Sequence, residues 1–310
     1  MPAVQSIRVI RRKIRSVGNI KKITRAMQMV SAAKLKKVQE RLMQLRPYAG
    51  KIRELLDGLT SQVAELKHPL FTPHENIKTI GLVVIMAEKG LCGAFNANMI
   101  RNVTNFLAER QSAGPVRKNS QLEGFSNGAG ANTKIIAIGK KSADYFRRHN
   151  FDISAAYTGL PTEVLFAEIQ KITKSIVKQF EQGAVDEVHI LYTHYVNALK
   201  FEPRRVKFLP IEATVESAGV AKKFTTEYIF EPAPEKILER LIPRYVETTF
   251  HRILLESMSS EHAARMNSMK NATDNAEELI DSLTLTYNKA RQAGITKELL
   301  DIVGGAEALK

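Results

Sequence analysis

Apolar residues recur at alternating intervals of three and four at both ends of the chain. No other feature limits the possible folds as strongly. Near the N-terminus they form three groups: Ile7, Ile10, Ile14 and Val17; Ile20, Ile23, Met27 and Val30; Leu35, Val38, Leu42 and Leu45. Each group is a coiled-coil seam, with the phase slipping between groups as at a stutter or stammer. Near the C-terminus, His262, Met266, Met269, Thr273, Ala276, Ile280, Leu283, Tyr287 and Ala290 hold one register without a slip. These patterns predict helices over residues 5–58 and 235–303. Pro232 and Pro234 suit the second start, and Pro243 is expected to kink its first turns.

Neither stripe is stable in water alone, so the two ends are expected to pair antiparallel. The second helix is longer by about 15 residues, which predicts a lone tip of about 22 Å carrying Ile295, Leu299, Leu300, Ile302 and Val303.

Between the helices the pattern changes. Residues 79–86 form a continuous apolar, β-branched run, as in a strand buried on both faces. Strands are expected at 133–138, 152–157, 185–195 and 205–210, with helices at 96–110, 140–149 and 162–180. Strand–helix alternation predicts an α/β domain with a mostly parallel sheet. The expected organisation is an N-terminal shaft helix (1–58), a linker (59–76), an α/β domain (77–231) and a C-terminal shaft helix (232–310). Residues 111–132 are rich in Gly, Ser and Asn and are read as a mobile insertion.

Charge is concentrated at one end. Residues 1–46 hold thirteen Lys and Arg against the single acid Glu40, a net +12 of the chain's +14. The partner of that segment is expected to be an acidic protein, a phosphate backbone or a membrane surface. An Arg-rich, acid-poor start also fits a mitochondrial transit peptide, but the helical pattern runs on to Leu45, past presequence length. No apolar run approaches the ~18 residues of a membrane span, so membrane contact is expected only through partners. With Cys92 alone, an intrachain disulfide and a Cys₂His₂ zinc site are excluded.

Familiar catalytic patterns are missing. Gly139-Lys140-Lys141-Ser142 resembles the end of a P-loop, but Lys134 stands where the first glycine belongs. Gly50-Lys51 fails in the same way, with Leu45 at that place. Gly90-Leu91-Cys92-Gly93 lacks a dinucleotide-binding spacing and reads as a tight strand-to-helix turn. His189 and His194 fall on opposite faces of one strand and read as structural. Glu277, Glu278 and Asp281 read as a solvated helix face. No cofactor is expected, and a mechanical or binding role is favoured over catalysis.

Three segments carry a family resemblance. They are Ile23-Thr24-Arg25-Ala26-Met27-Gln28-Met29-Val30 with Ser31-Ala32-Ala33-Lys34; Ser260-Glu261-His262-Ala263-Ala264-Arg265-Met266 with Met269-Lys270-Asn271-Ala272-Thr273-Asp274-Asn275-Ala276; and Ile295-Thr296-Lys297-Glu298-Leu299-Leu300-Asp301 with Gly305-Ala306. With Arg46-Pro47-Tyr48, they resemble the signatures of gamma subunits of F-type rotary ATP synthases, bacterial type. The resemblance implies a non-catalytic rotor shaft inside a hexamer of alpha and beta subunits. It implies a foot on the c-subunit ring beside epsilon, driven by proton or sodium flow, with catalysis on beta. It also implies a peripheral position on the cytoplasmic face of the bacterial plasma membrane.

By the same resemblance, Lys22, Arg25, Met27 and Cys92 would meet the acidic loop of beta. Arg291 and Gln292 would form a polar catch, and Ile295, Leu299, Ile302 and Val303 an apolar bearing. Tyr228, Phe230 and Glu231 would touch the c ring and epsilon. The chain departs from the family at Ala87-Glu88-Lys89-Gly90, where Ser or Thr, then Asp, is usual, and at Phe230 and Ala233. A basic nucleic-acid-binding coiled coil is the alternative; against it, residues 1–46 hold no aromatic residue for base stacking. A small enzyme built on the α/β domain is a further one.

Overall fold

The computed structural model describes residues 7–62, 68–74, 76–112, 132–162, 164–212 and 234–307. Along the chain run α1 (Ile7–Gln62), β1 (Thr79–Ile85), α2 (Phe95–Ser112), β2 (Asn132–Ile138), α3 (Lys140–Arg148), β3 (Ile153–Tyr157), α4 (Phe166–Glu181), β4 (Glu187–Tyr195), β5 (Phe201–Leu209) and α5 (Pro234–Glu307). Every expected strand and helix is present, with ends shifted by a few residues. Residues 111–112 and 132 of the expected insertion are regular structure, and 113–131 lie outside the described residues. The chain forms two compact units, Met1–Ala32 with Arg265–Lys310, and Ala33–Ala264.

The larger unit is built on a five-stranded sheet of order β3-β2-β1-β4-β5. β1 pairs in parallel with β2 and β4, β2 in parallel with β3, and β5 runs antiparallel to β4. Alternation along the central strands divides the core. Leu82, Val84, Ile135, Ala137 and Leu191 face Met99, Val103 and Phe106 of α2 and Phe146 of α3. Val83, Ile85, Ile136, Ile138, Ile190 and Tyr192 face Ile169, Ile172, Ile176 and Phe180 of α4. Leu56 and Leu59 of α1 and Leu238, Ile242, Val246 and Phe250 of α5 complete that second layer. Because both faces of β1 are covered, its sequence carries no polar alternation.

In the smaller unit α1 and α5 are antiparallel. Ile7 lies beside Gly294, Lys21 pairs with Glu277, and Thr24 with Thr273. The seam expected on α5 is correct, from His262 to Ala290. The seam expected on α1 needs correction in its middle third. Ile20, Ile23 and Val30 are 50%, 60% and 55% exposed, while Lys21, Thr24, Gln28 and Ser31 turn inward. Followed through those polar positions, the heptad runs Ile10, Ile14, Val17, Lys21, Thr24, Gln28, Ser31, Leu35 and Val38 with no slip. Hydroxyls tolerate the seam because each has an acceptor: Ser31 donates to the Met27 carbonyl at 2.7 Å and Thr24 can donate to Lys21 at 3.1 Å.

Pro47 and Pro243 both lie inside continuous helix, and both are exposed. The carbonyls they leave unbonded belong to Met43 and Glu239, which are exposed as well.

Two positions fix how the sheet meets its loops. Gly139 has φ 90°, and a Cβ there would stand 2.1 Å from the Met86 carbonyl oxygen. Gly139→Ala should therefore cost about 3 kcal/mol or more, read from urea unfolding. Gly90→Ala, with nothing within 4 Å of its Cβ, is the reference, and equal losses at the two sites would refute the close-approach account.

Asp186, before β4, accepts from the amides of Lys78 and Thr79 at 2.7 and 2.8 Å and lies 2.9 Å from His74 Nδ1. Burial alone would raise its pKa, but the His74 hydrogen bond and the two amides outweigh it and hold the carboxyl below its ordinary value. With the folded-state value depressed, this stabilisation is complete above the unfolded value of about 4 and is lost as pH falls through the folded one. Asp186→Asn should cost about 1–3 kcal/mol at pH 7, with the difference shrinking towards about pH 3. A difference that stays constant with pH would refute the linkage.

Candidate partner-binding surfaces

On the helical pair, Lys22 and Arg25 are exposed and Met27 is half-buried. They lie along the outward stripe formed by Ile20, Ile23 and Val30. The steps 20, 23, 27, 30 repeat the coiled-coil interval, so α1 carries two seams. One closes on α5; in the other, Ile20, Ile23 and Val30 are half or more exposed. Val9 and Met29 add further exposed apolar surface.

The electrostatics of this face are shared with α5. Lys21 Nζ lies 2.8 Å from Glu277, whose carboxyl is held below its usual range by the Lys21 hydrogen bond and charge and by Arg25. Glu277 is thus part of the interhelical contact as well as of the solvated face expected from its acidic neighbours. Thr273 Oγ1 lies 2.8 Å from both Thr24 Oγ1 and the Met269 carbonyl. With one proton it donates to only one of them, and Thr24 can supply the cross-helix proton.

Beyond Gly294, which lies beside Ile7 at the described start of α1, α5 continues to Glu307, about 20 Å further. Arg291 and Gln292 lie just before that point, both exposed. Ile295, Leu299, Ile302 and Val303 are exposed on the free segment, as is Leu300.

The larger unit contributes the turn after β1. Leu91 adopts φ 61° and is 62% exposed, while Cys92 beside it is fully buried with Ala87, Phe95 and Ala264. Asn96 fixes the turn, accepting from the Ala87 amide at 3.1 Å and donating to Cys92 Sγ at 3.3 Å.

Glu88, one of the departures from the family pattern, accepts from the amides of Gly159 at 2.8 Å, Lys140 at 3.3 Å and Leu160 at 3.4 Å. One carboxylate so ties together the loops leaving β1, β2 and β3. Sequence reasoning had no signal for this role beyond an acid at the end of a parallel strand. His189 bonds Glu187 and His194 bonds Glu256, each structural and on opposite faces as expected.

Tyr228, Phe230 and Glu231 lie outside the described residues. Lys22, Arg25 and Met27 belong to one unit and Cys92 to the other. Among the described residues no group of His, Cys, Asp and Glu could hold a metal ion, and no helix is long and apolar enough to cross a membrane.

The family model described as ATP synthase matches residues 6–309. The ATP synthase gamma chain of Heliobacterium modesticaldum is 42% identical over 307 residues, covering 98% of this chain and 99% of the relative. That of Desulforamulus reducens is 42% identical over 305 residues, covering 98% and 99%. That of Chlorobaculum tepidum is 37% identical over 310 residues, covering both chains completely. Among solved structures, the central stalk and c-ring of the Tetrahymena thermophila mitochondrial ATP synthase matches with TM-score 0.57 and 25% identity, over 81% of this chain and 99% of that one. A chain of the Euglena gracilis mitochondrial ATP synthase shares the fold, with TM-score 0.63 and 19% identity over 98% and 94%. With a family model spanning nearly the whole sequence and full-length bacterial relatives at this identity, the chain belongs to the ATP synthase gamma chain family.

Proposed function

We propose that the chain is the non-catalytic central rotor shaft of an ATP synthase, coupling ion flow through a c-subunit ring to ATP synthesis or hydrolysis on beta subunits. The observation that carries this reading is the second, outward seam of α1, set among cations. A helix that has already satisfied one apolar stripe and presents another is built to be enclosed. The enclosing surface has to be acidic and partly apolar, as the hexamer of alpha and beta would be in this reading. In it, Lys22, Arg25 and Met27 meet the acidic loop of beta, and Leu91 is the exposed part of the turn whose shape Cys92 sets from inside. Arg291 and Gln292 form the catch, and Ile295, Leu299, Ile302 and Val303 the bearing. Residues 77–231 are the foot on the c ring and epsilon, with Tyr228, Phe230 and Glu231 at that contact, at the cytoplasmic face of a bacterial inner membrane. Nucleic acid is the weaker partner for the basic helix, because the cations of this face alternate with aliphatic side chains rather than stacking rings.

A shaft drives its partner only by binding the partner's states unequally. In the Lys22→Glu, Arg25→Glu double variant, folding should change little, since exposed pairs are worth about 0–1 kcal/mol. Ion pumping per ATP hydrolysed in the assembled complex should fall. Unchanged coupling in assembled complexes would count against the contact.

The free end of α5 gives a second test. A bearing needs non-directional contact, which apolar surface provides. Ending the chain after Gly294 should weaken assembly or the stability of the complex while leaving rotation-coupled hydrolysis measurable. Loss of hydrolysis in fully assembled complexes would make the tip part of the drive, and no effect even on assembly would remove the bearing.

A further inference from the structure

The Gly139-Lys140-Lys141-Ser142 segment is not a P-loop in the structure either, because the amides at the start of α3 are already committed. Gly139 donates to Tyr157, Lys140 to Glu88 and Lys141 to Ala87. The side chains of the same helix do something else. Lys141, Tyr145 and Arg148 follow at steps of four and three, so they share one face. With His149 they line a cavity of about 190 Å³ floored by Met86 and Ile100.

The cavity's charge is unbalanced. No carboxylate among the described residues lines it. Lys207, Arg244 and Arg252, which lie elsewhere in this unit, each have a carboxylate partner. Lys141 and Arg148 have none among the described residues. Arg148 donates its Nε to the Asp144 carbonyl at 3.2 Å, which orients the guanidinium and leaves its terminal nitrogens for a ligand. Tyr145 is held between Phe146, edge-on at 5.2 Å, and His149 at 4.4 Å. Burial pushes its phenol pKa up, so it stays a neutral donor. Met86 follows the last residue of β1, so the cavity adjoins the C-terminal end of that central strand, a region where open α/β sheets place ligands.

We propose that Lys141, Arg148, Tyr145 and His149 form a binding site for a small condensed phosphate, a ligand with two phosphate-type groups. The size follows from the helix. Lys141 and Arg148 are separated by about 10 Å of rise, a span suited to two linked oxyanions rather than one. Guanidinium and ammonium suit the two ends differently, Arg148 by bidentate contact and Lys141 as a point charge.

The test titrates the full-length chain with inorganic pyrophosphate at constant ionic strength, with orthophosphate as the comparison. Saturable one-to-one binding of pyrophosphate, tighter than orthophosphate, is expected. Lys141→Gln with Arg148→Gln should weaken it at least about tenfold. Lys171→Gln with Lys174→Gln, which removes the same charge from the exposed face of α4, should leave it unchanged. In the unsubstituted chain, pyrophosphate should protect Arg148 from phenylglyoxal. Equal weakening in both variants would show attraction to a basic chain without a site. That result, absence of saturable binding, or unprotected Arg148 would overturn the proposal. None of these outcomes depends on the rotor reading.

Discussion

The seam between the first and last helices is the contact on which the smaller unit rests. In the smaller unit no other element is available to cover either stripe among the described residues. Closing it brings Thr24 to Thr273 across a sequence separation of 249. An unconstrained loop of that length would cost about 5 kcal/mol in closure entropy. The larger unit offsets much of this, since Leu56 and Leu59 already share a core with Leu238 and Ile242.

Polarity along α1 is inverted relative to a self-sufficient coiled coil. Hydroxyls and the stem of Lys21 occupy the inner seam, while Ile20, Ile23 and Val30 face outward. Inner hydroxyls weaken the pair relative to aliphatic residues, and outer aliphatics gain nothing from water. Both choices follow the proposed reading, in which α1 packs on α5 and on an enclosing surface. The end of α5 likewise presents Ile295, Leu299, Leu300, Ile302 and Val303, each half or more exposed.

Much of this was legible in the residues. The uninterrupted run of β1, the 3.6-residue period of α4 and the register of α5 each encode one element and its buried face, and all three were read correctly. The middle of α1 was misread because apolar positions alone were followed there. The outward stripe is itself a regular heptad, and periodicity does not tell which of two stripes is inside. The informative signal was an unbroken three-four spacing through Lys21, Thr24, Gln28 and Ser31, which only an acceptor for each hydroxyl makes acceptable. Cys92 is fully buried, because the turn points Leu91 outward and Cys92 inward. The roles of Glu88 and Asp186 were not legible, since each depends on amides from strands distant in sequence.

The polar layer also fixes register. In an antiparallel pair held by aliphatic contacts alone, sliding by one heptad exchanges equivalent knobs and costs little. A slide of seven residues here would place Thr24 opposite Met266 or Ile280 in place of Thr273 and separate Lys21 from Glu277. The Thr24 hydroxyl would keep its local carbonyl, but the cross-helix bond and the ion pair would be lost together. Each is worth little alone, near the ~1 kcal/mol of an ordinary hydrogen bond. Their value lies in opposing the one displacement that the apolar seam does not resist. A few polar contacts inside a weak seam thus oppose sliding of the two helices while leaving the outward face of α1 unchanged.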